Sequence, residues 1–444
     1  MTSIDHVYTY SGPSTFSQAA RDQRLALVSD NAEPDAPRMF LTAYAREPEI
    51  TARALRAVSE IVGSRFYIPP AMLARIMREA DPVATVSPGA VRFEGFSACC
   101  SAYIRLDLGA EALEVAERRN GTTNVDFGAE LRGALMQVKP DSRMEITIGA
   151  EAVGIAHERA AVVERKVPLP MRWIKGFGDV QVHLAGMELA FELPRIAAQR
   201  FLRGLPRSKS DNQIWVSASG SGVRTTSRPS VGSVPLRGGH RLRVFETLVG
   251  RAEALKVFVN PALGSSAWVL DFGAQRLALV LNSEPWRGFS GDGGLLSDLA
   301  RSDDEIATLR AQLNWQDRLD LDALADATGR SSDALKRGLS HLAAAGLVGF
   351  DLAEQAWFHR VLPFDMARID ALNPRLKAAR KLVEAGAVSL VEGGADVTSE
   401  NVIHRVRQSD DSFACTCPWY AKNKAKRGPC KHVLAAEITM EGIT

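Results

Sequence analysis

Within the last thirty residues, Cys415-Thr416-Cys417 is followed, after twelve intervening residues, by Cys430-Lys431-His432. Three of the chain's five cysteines and one of its eight histidines thus fall inside eighteen positions. A Zn²⁺ ion takes four such donors converging as a tetrahedron. In an extended segment residues i and i+2 face the same side, so Cys415 and Cys417 can grip one ion together. Pro418 follows at once, where the chain should leave the strand. Cys430 and His432 open the apolar run Val433-Leu434-Ala435-Ala436, which predicts a helix start, where the positive dipole end favours a thiolate. Cys415, Cys417, Cys430 and His432 are the metal ligands this spacing defines. Four protein donors leave no open position, so the single Zn²⁺ is structural rather than catalytic.

The motif, with its flanks in CTCPWYAKNKAKRGPCKHVLAA, resembles the SWIM zinc finger. Further stretches resemble a long bacterial type of SWIM-containing protein and extend the likeness over most of the chain: Phe93-Glu94-Gly95-Phe96-Ser97 before Cys99-Cys100, Gly121 to Phe127, Glu164 to Val167, and Trp286 to Gly291. The resemblance implies a ββα zinc fold that binds DNA or protein partners. It also implies, for the long bacterial type, operon neighbours that include an AAA+ ATPase and a von Willebrand A-domain protein.

At 444 residues the chain has room for two to four domains with substantial cores. The apolar share of 46% and charged share of 24% suit a globular protein, and a net charge of +2 leaves partners to be argued from local clusters. No stretch approaches twenty apolar residues, and the start shows no basic-then-apolar leader, so neither a membrane span nor secretion is expected. The odd cysteine count and metal-type cluster point to a reducing cytoplasm.

The expected fold class is α+β and multi-domain: a mixed body, a winged-helix-like segment and the C-terminal finger. Residues 1–83 read as helices and loops, with Thr15 or Ser17 capping a helix through Ala20 and Leu25, a second helix over Glu49 to Val62, and a third opened by Pro69-Pro70. Residues 84–300 read as short strands with intervening helices, forming one domain or two linked halves. Strands are expected at Ala102–Leu108, Met144–Ile148, Val180–Leu184, Ile214–Val216, Leu255–Val259 and Leu277–Leu281. Helices are expected near Ala129–Val138, Leu193–Arg203 and Val244–Ala254. The helix-then-strands order hints at an internal duplication. Between Arg200 and Arg243 nine basic residues face one acid, Asp211. They read as a solvated hairpin whose arginines find acids elsewhere, with phosphate tracking beside Trp215 as the alternative.

Residues 301–365 resemble a winged helix-turn-helix. Leu321, Leu324 and Ala325 line a helix stopped at Gly329; Ser331 or Ser332 caps a second, with Leu335, Leu339 and Leu342 inward; a hairpin follows. Its exposed side would carry Ser332, Asp333, Lys336, Arg337, Ser340 and His341. Residues 366–444 then hold a linker helix, Asn373 to Ala385, and the finger.

The finger loop carries Lys422, Lys424, Lys426 and Arg427, with Lys431 between the last ligands and no acid from Cys415 to His432. Three thiolates, a neutral imidazole and Zn²⁺ sum to −1, so the surplus positive charge faces outward. Trp419 suits the miniature core behind the zinc, or base stacking; Tyr420 fits either role. His404 reads as an exposed strand residue, with an approach to the metal from the preceding strand as the alternative. Adjacent Cys99 and Cys100 read as packed small residues, with a reactive thiol or vicinal disulfide as alternatives. No acid–base pair, activated nucleophile or phosphate loop emerges, so an enzyme is not expected. The leading expectation is a recognition protein that binds nucleic acid, DNA ahead of RNA, through Lys422, Lys424, Lys426, Arg427, Lys431, Lys336 and Arg337. The alternative is a protein-interaction adaptor working with the AAA+ and von Willebrand A-domain system.

Overall fold

The computed structural model describes residues 15–19, 22–26, 39–65, 82–124, 127–166, 171–210, 212–220, 222–284, 288–290, 303–362, 374–409, 412–424 and 428–441. The chain forms two compact units, one of residues 1–170 with 187–286 and the other of 171–186 with 287–444.

The first unit opens with an antiparallel hairpin, β1 (Thr15–Ala19) and β2 (Asp22–Ala26), where a helix through Ala20 and Leu25 was expected. Five residues of one strand face five of the other in a continuous ladder, and that pairing outweighs the local helical pattern. β3 (Met39–Ala45) leads into α1 (Pro48–Gly63), whose Pro48 sits at the helix start where its missing N–H costs nothing. Ile50, Ala54, Leu55, Val58, Ile61 and Val62 form the buried stripe of α1. The helix expected from Pro69-Pro70 lies outside the described residues.

Four strands and a turn of 3₁₀ helix follow: β4 (Val83–Val86), β5 (Ala90–Phe96), β6 (Ala102–Gly109), the 3₁₀ turn, then β7 (Leu113–Arg118). β4 and β5 are buried at every position, with Arg92 and Glu94 enclosed as well as Val91 and Phe93. β8 (Gly121–Asn124), α2 (Ala129–Gln137) and the meander β9 (Glu145–Gly149), β10 (Ala152–His157) and β11 (Ala160–Arg165) complete the first half. The chain then supplies α3 (Met171–Ala185) to the second unit and returns with β12 (Glu188–Pro194), α4 (Arg195–Gly204), β13 (Ile214–Ser219), β14 (Gly222–Thr226) and β15 (Val234–Leu236). The helix expected over Val244–Ala254 does not form: a 3₁₀ segment, Gly239–Phe245, ends at its start, and turns carry the chain to β16 (Ala254–Val259), β17 (Ser266–Asp271) and β18 (Gln275–Leu281).

The two halves share one wiring. In the first, β3 pairs antiparallel with β9, the first strand of the meander, giving the order β11-β10-β9-β3-β7. In the second, β12 pairs antiparallel with β16, again the first strand of a meander. β18 then zips to β6, with Leu277 opposite Leu106, and builds one eight-stranded sheet, β12-β16-β17-β18-β6-β5-β4-β8. The order of elements therefore repeats without a residue-level repeat. A third sheet runs β14-β13-β15.

In the second unit, α3 spans the segment 180–184 expected as a strand. Trp173, Ile174, Phe177, Val180, Gln181 and Leu184 are all buried and recur at helical spacing. Reading Val180, Val182 and Leu184 alone imitates period two, and the longer window shows period 3.6. The chain continues through α5 (Asp303–Arg310), α6 (Leu321–Thr328), α7 (Ser332–Ala344) and the hairpin β19 (Val348–Asp351) and β20 (Ala356–His359). Asp320 caps α6 by accepting from the Asp322 and Ala323 amides, Gly329 closes it at φ 65°, and Ser331 caps α7. Gln181 ties α3 to β19 by accepting the Phe350 amide at 2.6 Å.

The C-terminal part begins with α8 (Pro374–Glu384). The four-stranded antiparallel sheet follows in chain order: β21 (Val388–Val391), β22 (Gly394–Ser399), β23 (Val402–Ser409) and β24 (Ser412–Cys415). α9 (Pro418–Asn423) and α10 (Lys431–Glu441) close it. Among the described residues no helix is long and apolar enough to cross a membrane.

Candidate metal centre

Cys415 ends β24 opposite Val406 of β23, and Cys417, two residues on, becomes the cap of α9 with Pro418 in its first turn. The Tyr420 amide donates to Cys417 Sγ at 3.3 Å and the Cys417 amide to Cys415 Sγ at 3.4 Å. Cys430 stands just before α10, and the Val433 amide donates to its sulfur at 3.5 Å. Two helix starts thus aim backbone N–H groups at sulfur, which stabilises thiolates. His432 turns Nδ1 to within 3.9 Å of Cys415 Sγ.

Sγ of the three cysteines and a ring nitrogen of His432 lie within 4.8 Å of one another, and all four residues are buried. A tetrahedral Zn²⁺ holds its ligand atoms about 3.5–3.8 Å apart, so the set fits with minor contraction. Charge makes the same demand. A hydrogen bond to Cys430, then burial, pushes the Cys415 thiol up, and burial pushes Cys417 up. The hydrogen bond from Cys415 pulls Cys430 down to about 4. A bound dication would let all three buried sulfurs ionise.

The neighbours add contacts that sequence reasoning left open or missed. His404 is half-buried, its ring 4.1 Å from that of His432. Burial, then His432, holds it below the ordinary histidine range. The available signal was register: His404 lies two residues from buried Val406 and opposite buried Val397. Arg375 of α8 donates to the Pro429 carbonyl at 2.7 Å and places its guanidinium 4.8 Å from the centre of the half-buried Trp419 ring. Tyr420 donates to the Phe413 carbonyl at 2.7 Å, anchoring α9 to β24. Both aromatics flanking the loop are therefore structurally engaged.

Lys422 and Lys424 are exposed, Lys424 at φ 43° where α9 ends. Lys431 meets Glu400 at 3.3 Å, an exposed pair of the kind worth about 0–1 kcal/mol. Lys426 and Arg427 lie outside the described residues. On α7, Ser332, Asp333, Lys336 and Arg337 are exposed and Ser340 is half-buried. His341, expected outward, is 6% exposed, because it falls on the inner side of the helix beside Leu342. Lys336 and Ser340 also line a cavity of about 830 Å³ with Arg318, Asp320, Phe350 and Trp357. Of the basic run 200–243, Arg200, Arg203, Arg207, Lys209, Arg224 and Arg228 are exposed. Arg237 and Arg243 bond to Ser283 and Glu246, and Arg241 is buried.

A closed, buried Cys₃His centre between a β-hairpin and a helix defines a structural zinc finger. Residues 404–441, which include all four ligands, match the family model of the SWIM zinc finger. No curated protein matches the chain. Among solved structures, the Proliferating Cellular Nuclear Antigen from Entamoeba histolytica is similar over 55% of this chain and 98% of its own, at 11% identity and a TM-score of 0.36.

Gly394 is a sensitive point of this fold. A Cβ there would collide with the Val406 carbonyl, and Val406 is the register partner of Cys415. Gly394→Ala is expected to spread β22 from β23 and lower zinc affinity by about tenfold, measured by competition with a chromophoric chelator. Unchanged affinity would show that the strands shift freely without disturbing the ligands.

Proposed function

We propose that this chain is a non-enzymatic recognition protein whose zinc finger shapes a basic loop for binding nucleic acid, DNA ahead of RNA. The observation that carries the reading is the exposure of Lys422 and Lys424 on α9 and its cap, directly after a ligand that also caps the helix. Zinc acts at a distance from the contact: it holds Cys417, and Cys417 holds the start of the helix that presents the lysines. Lys426 and Arg427 follow them in the sequence, and Lys431 opens α10. The α6–α7–hairpin order is that of a winged helix, and exposed Lys336 and Arg337 suit phosphate or groove contact from α7.

Binding of zinc-loaded protein to single- and double-stranded DNA across a salt series tests this. Lys422→Glu with Lys424→Glu is expected to weaken binding for all sequences by tenfold or more, and to lower the slope of log K against log salt by about 1.8, at about 0.9 per lost phosphate contact. Wild-type protein that ignores DNA at low salt, or a variant that binds as wild type does, would overturn the loop assignment.

A second reading, an adaptor for a protein partner such as an AAA+ ATPase, draws on Val402 and Ile403. These neighbours on the finger hairpin are 52% and 65% exposed. Capture of that partner by the wild type and its loss in Ile403→Asp would favour this reading.

A further inference from the structure

The turn between β5 and β6 carries the Cys99-Cys100 pair, which the zinc site leaves unused. Cys99 is half-exposed and Cys100 is buried. Around Cys99 Sγ stand Ser101 Oγ at 3.1 Å and Ser97 Oγ at 3.6 Å. The Arg241 guanidinium arrives from the 3₁₀ segment of the other half, donating Nη2 to Cys99 Sγ at 3.2 Å and Nη1 to Ser101 Oγ at 2.6 Å.

Arg241 is the independent observation. It is 4% exposed, and its Nε is buried without a hydrogen-bond partner. Among the described residues its side chain hydrogen-bonds Ser101 and Cys99 and pairs with no carboxylate. A buried cation is costly unless a negative charge accompanies it. Of the two groups it holds, the thiol is the one that ionises near neutral pH; a serine hydroxyl does not.

We propose that Cys99 is a reactive thiolate, the counter-ion of buried Arg241, and a site of attack on small electrophiles and peroxide.

The surrounding charge agrees. His240, next to Arg241 in the chain, is held neutral at about 4 by burial, then by Arg241 and Lys209, so the positive charge at the thiol is that of Arg241. The C-terminal end of α1 meets the same turn through the Ser64 carbonyl, which accepts from the Ala98 amide at 2.8 Å. Its partial negative charge opposes a thiolate. It is roughly half a charge and is spent on that amide, against a full charge at 3.2 Å. Half-exposure admits a small reagent, the combination of positive field and access that marks reactive cysteines. With hydrogen peroxide, the thiolate sulfur attacks one oxygen. The O–O bond breaks and an S–O bond forms; sulfur loses two electrons, and the departing hydroxide takes a proton from solvent. The products are the Cys99 sulfenic acid and water.

The test is alkylation of intact, zinc-loaded protein by iodoacetamide between pH 5 and 10, read at Cys99 by peptide mass spectrometry, with Cys99→Ser as the blank. The alkylation midpoint is expected at least one pH unit below the free-thiol value of about 8.5. Arg241→Gln should raise the midpoint and slow alkylation at pH 7 about tenfold, with Arg241→Lys between. Dimedone trapping after peroxide should label Cys99 in the wild type and not in the Cys99→Ser blank. A wild-type midpoint at or above about 8.5, or a folded Arg241→Gln protein that alkylates as the wild type does, overturns the proposal. If Arg241→Gln does not fold, the wild-type midpoint decides alone.

Discussion

Removal of zinc is expected to unfold about the last forty residues while the first unit keeps its structure. Beyond the ligands, the described inner residues of the finger are few and mostly small: Ala395, Val397, Val406, Val433, Leu434, Ala435 and Ala436. A core of that size does not offset the ordering of its own chain. A structural zinc site contributes an apparent 10–16 kcal/mol, and three buried sulfurs deprived of a dication lose their reason to converge. Cys430→Ser should do the same without chelator, because Cys430 joins the metal to the start of α10. Limited proteolysis with mass spectrometry reads the outcome. Cleavage should concentrate after residue 400 in chelator-treated protein and leave fragments of residues 39–284. A tail that stays protease-resistant without metal would show that α8 and the sheet hold the finger unaided.

Trp268→Ala should strike the first unit and spare the finger. Trp268 is fully buried on β17, flanked by Val257 and Leu279 on the adjoining strands. It stacks on Phe201 of α4 with centroids 5.3 Å apart, and its indole N–H donates to Ser266 at 3.1 Å. Truncation leaves a cavity among rigid strands and costs about 3–5 kcal/mol. Against a total of roughly 5–15 kcal/mol, the melting transition of this unit should fall by roughly 6–20 °C. Zinc content should remain at one ion per chain. Calorimetry with parallel metal analysis checks both. A variant that melts with the wild type would remove Trp268 from the core of the sheet, and zinc loss would deny the two units their separate stability.

The period-two reading of Val180–Leu184 was wrong because it covered five residues, too few to separate a strand from one face of a helix. Trp173, Ile174 and Phe177 supply the period when the window is widened. The hairpin at 15–26 and the 3₁₀ segment at 239–245 were missed for a different reason. Each conformation is held by partners, not by its own propensity. In contrast, α1, α2, α4, α6, α7, α8 and the finger strands stood close to where spacing, caps and glycine stops placed them, because those signals act within a few residues.

The ligand set was legible for the same reason. Cys415, Cys417, Cys430 and His432 lie within eighteen positions, and two local geometries, an extended pair and a helix start, suffice to aim them at one ion. Distance along the chain marks the limit of such reading. Only the tertiary structure brought Arg375 over Trp419, set the His404 ring against that of His432, joined β18 to β6, and carried Arg241 across 142 residues to Cys99. Local spacing is written into covalent geometry. Long-range pairing depends on which buried surfaces and charges find one another once the whole chain has folded.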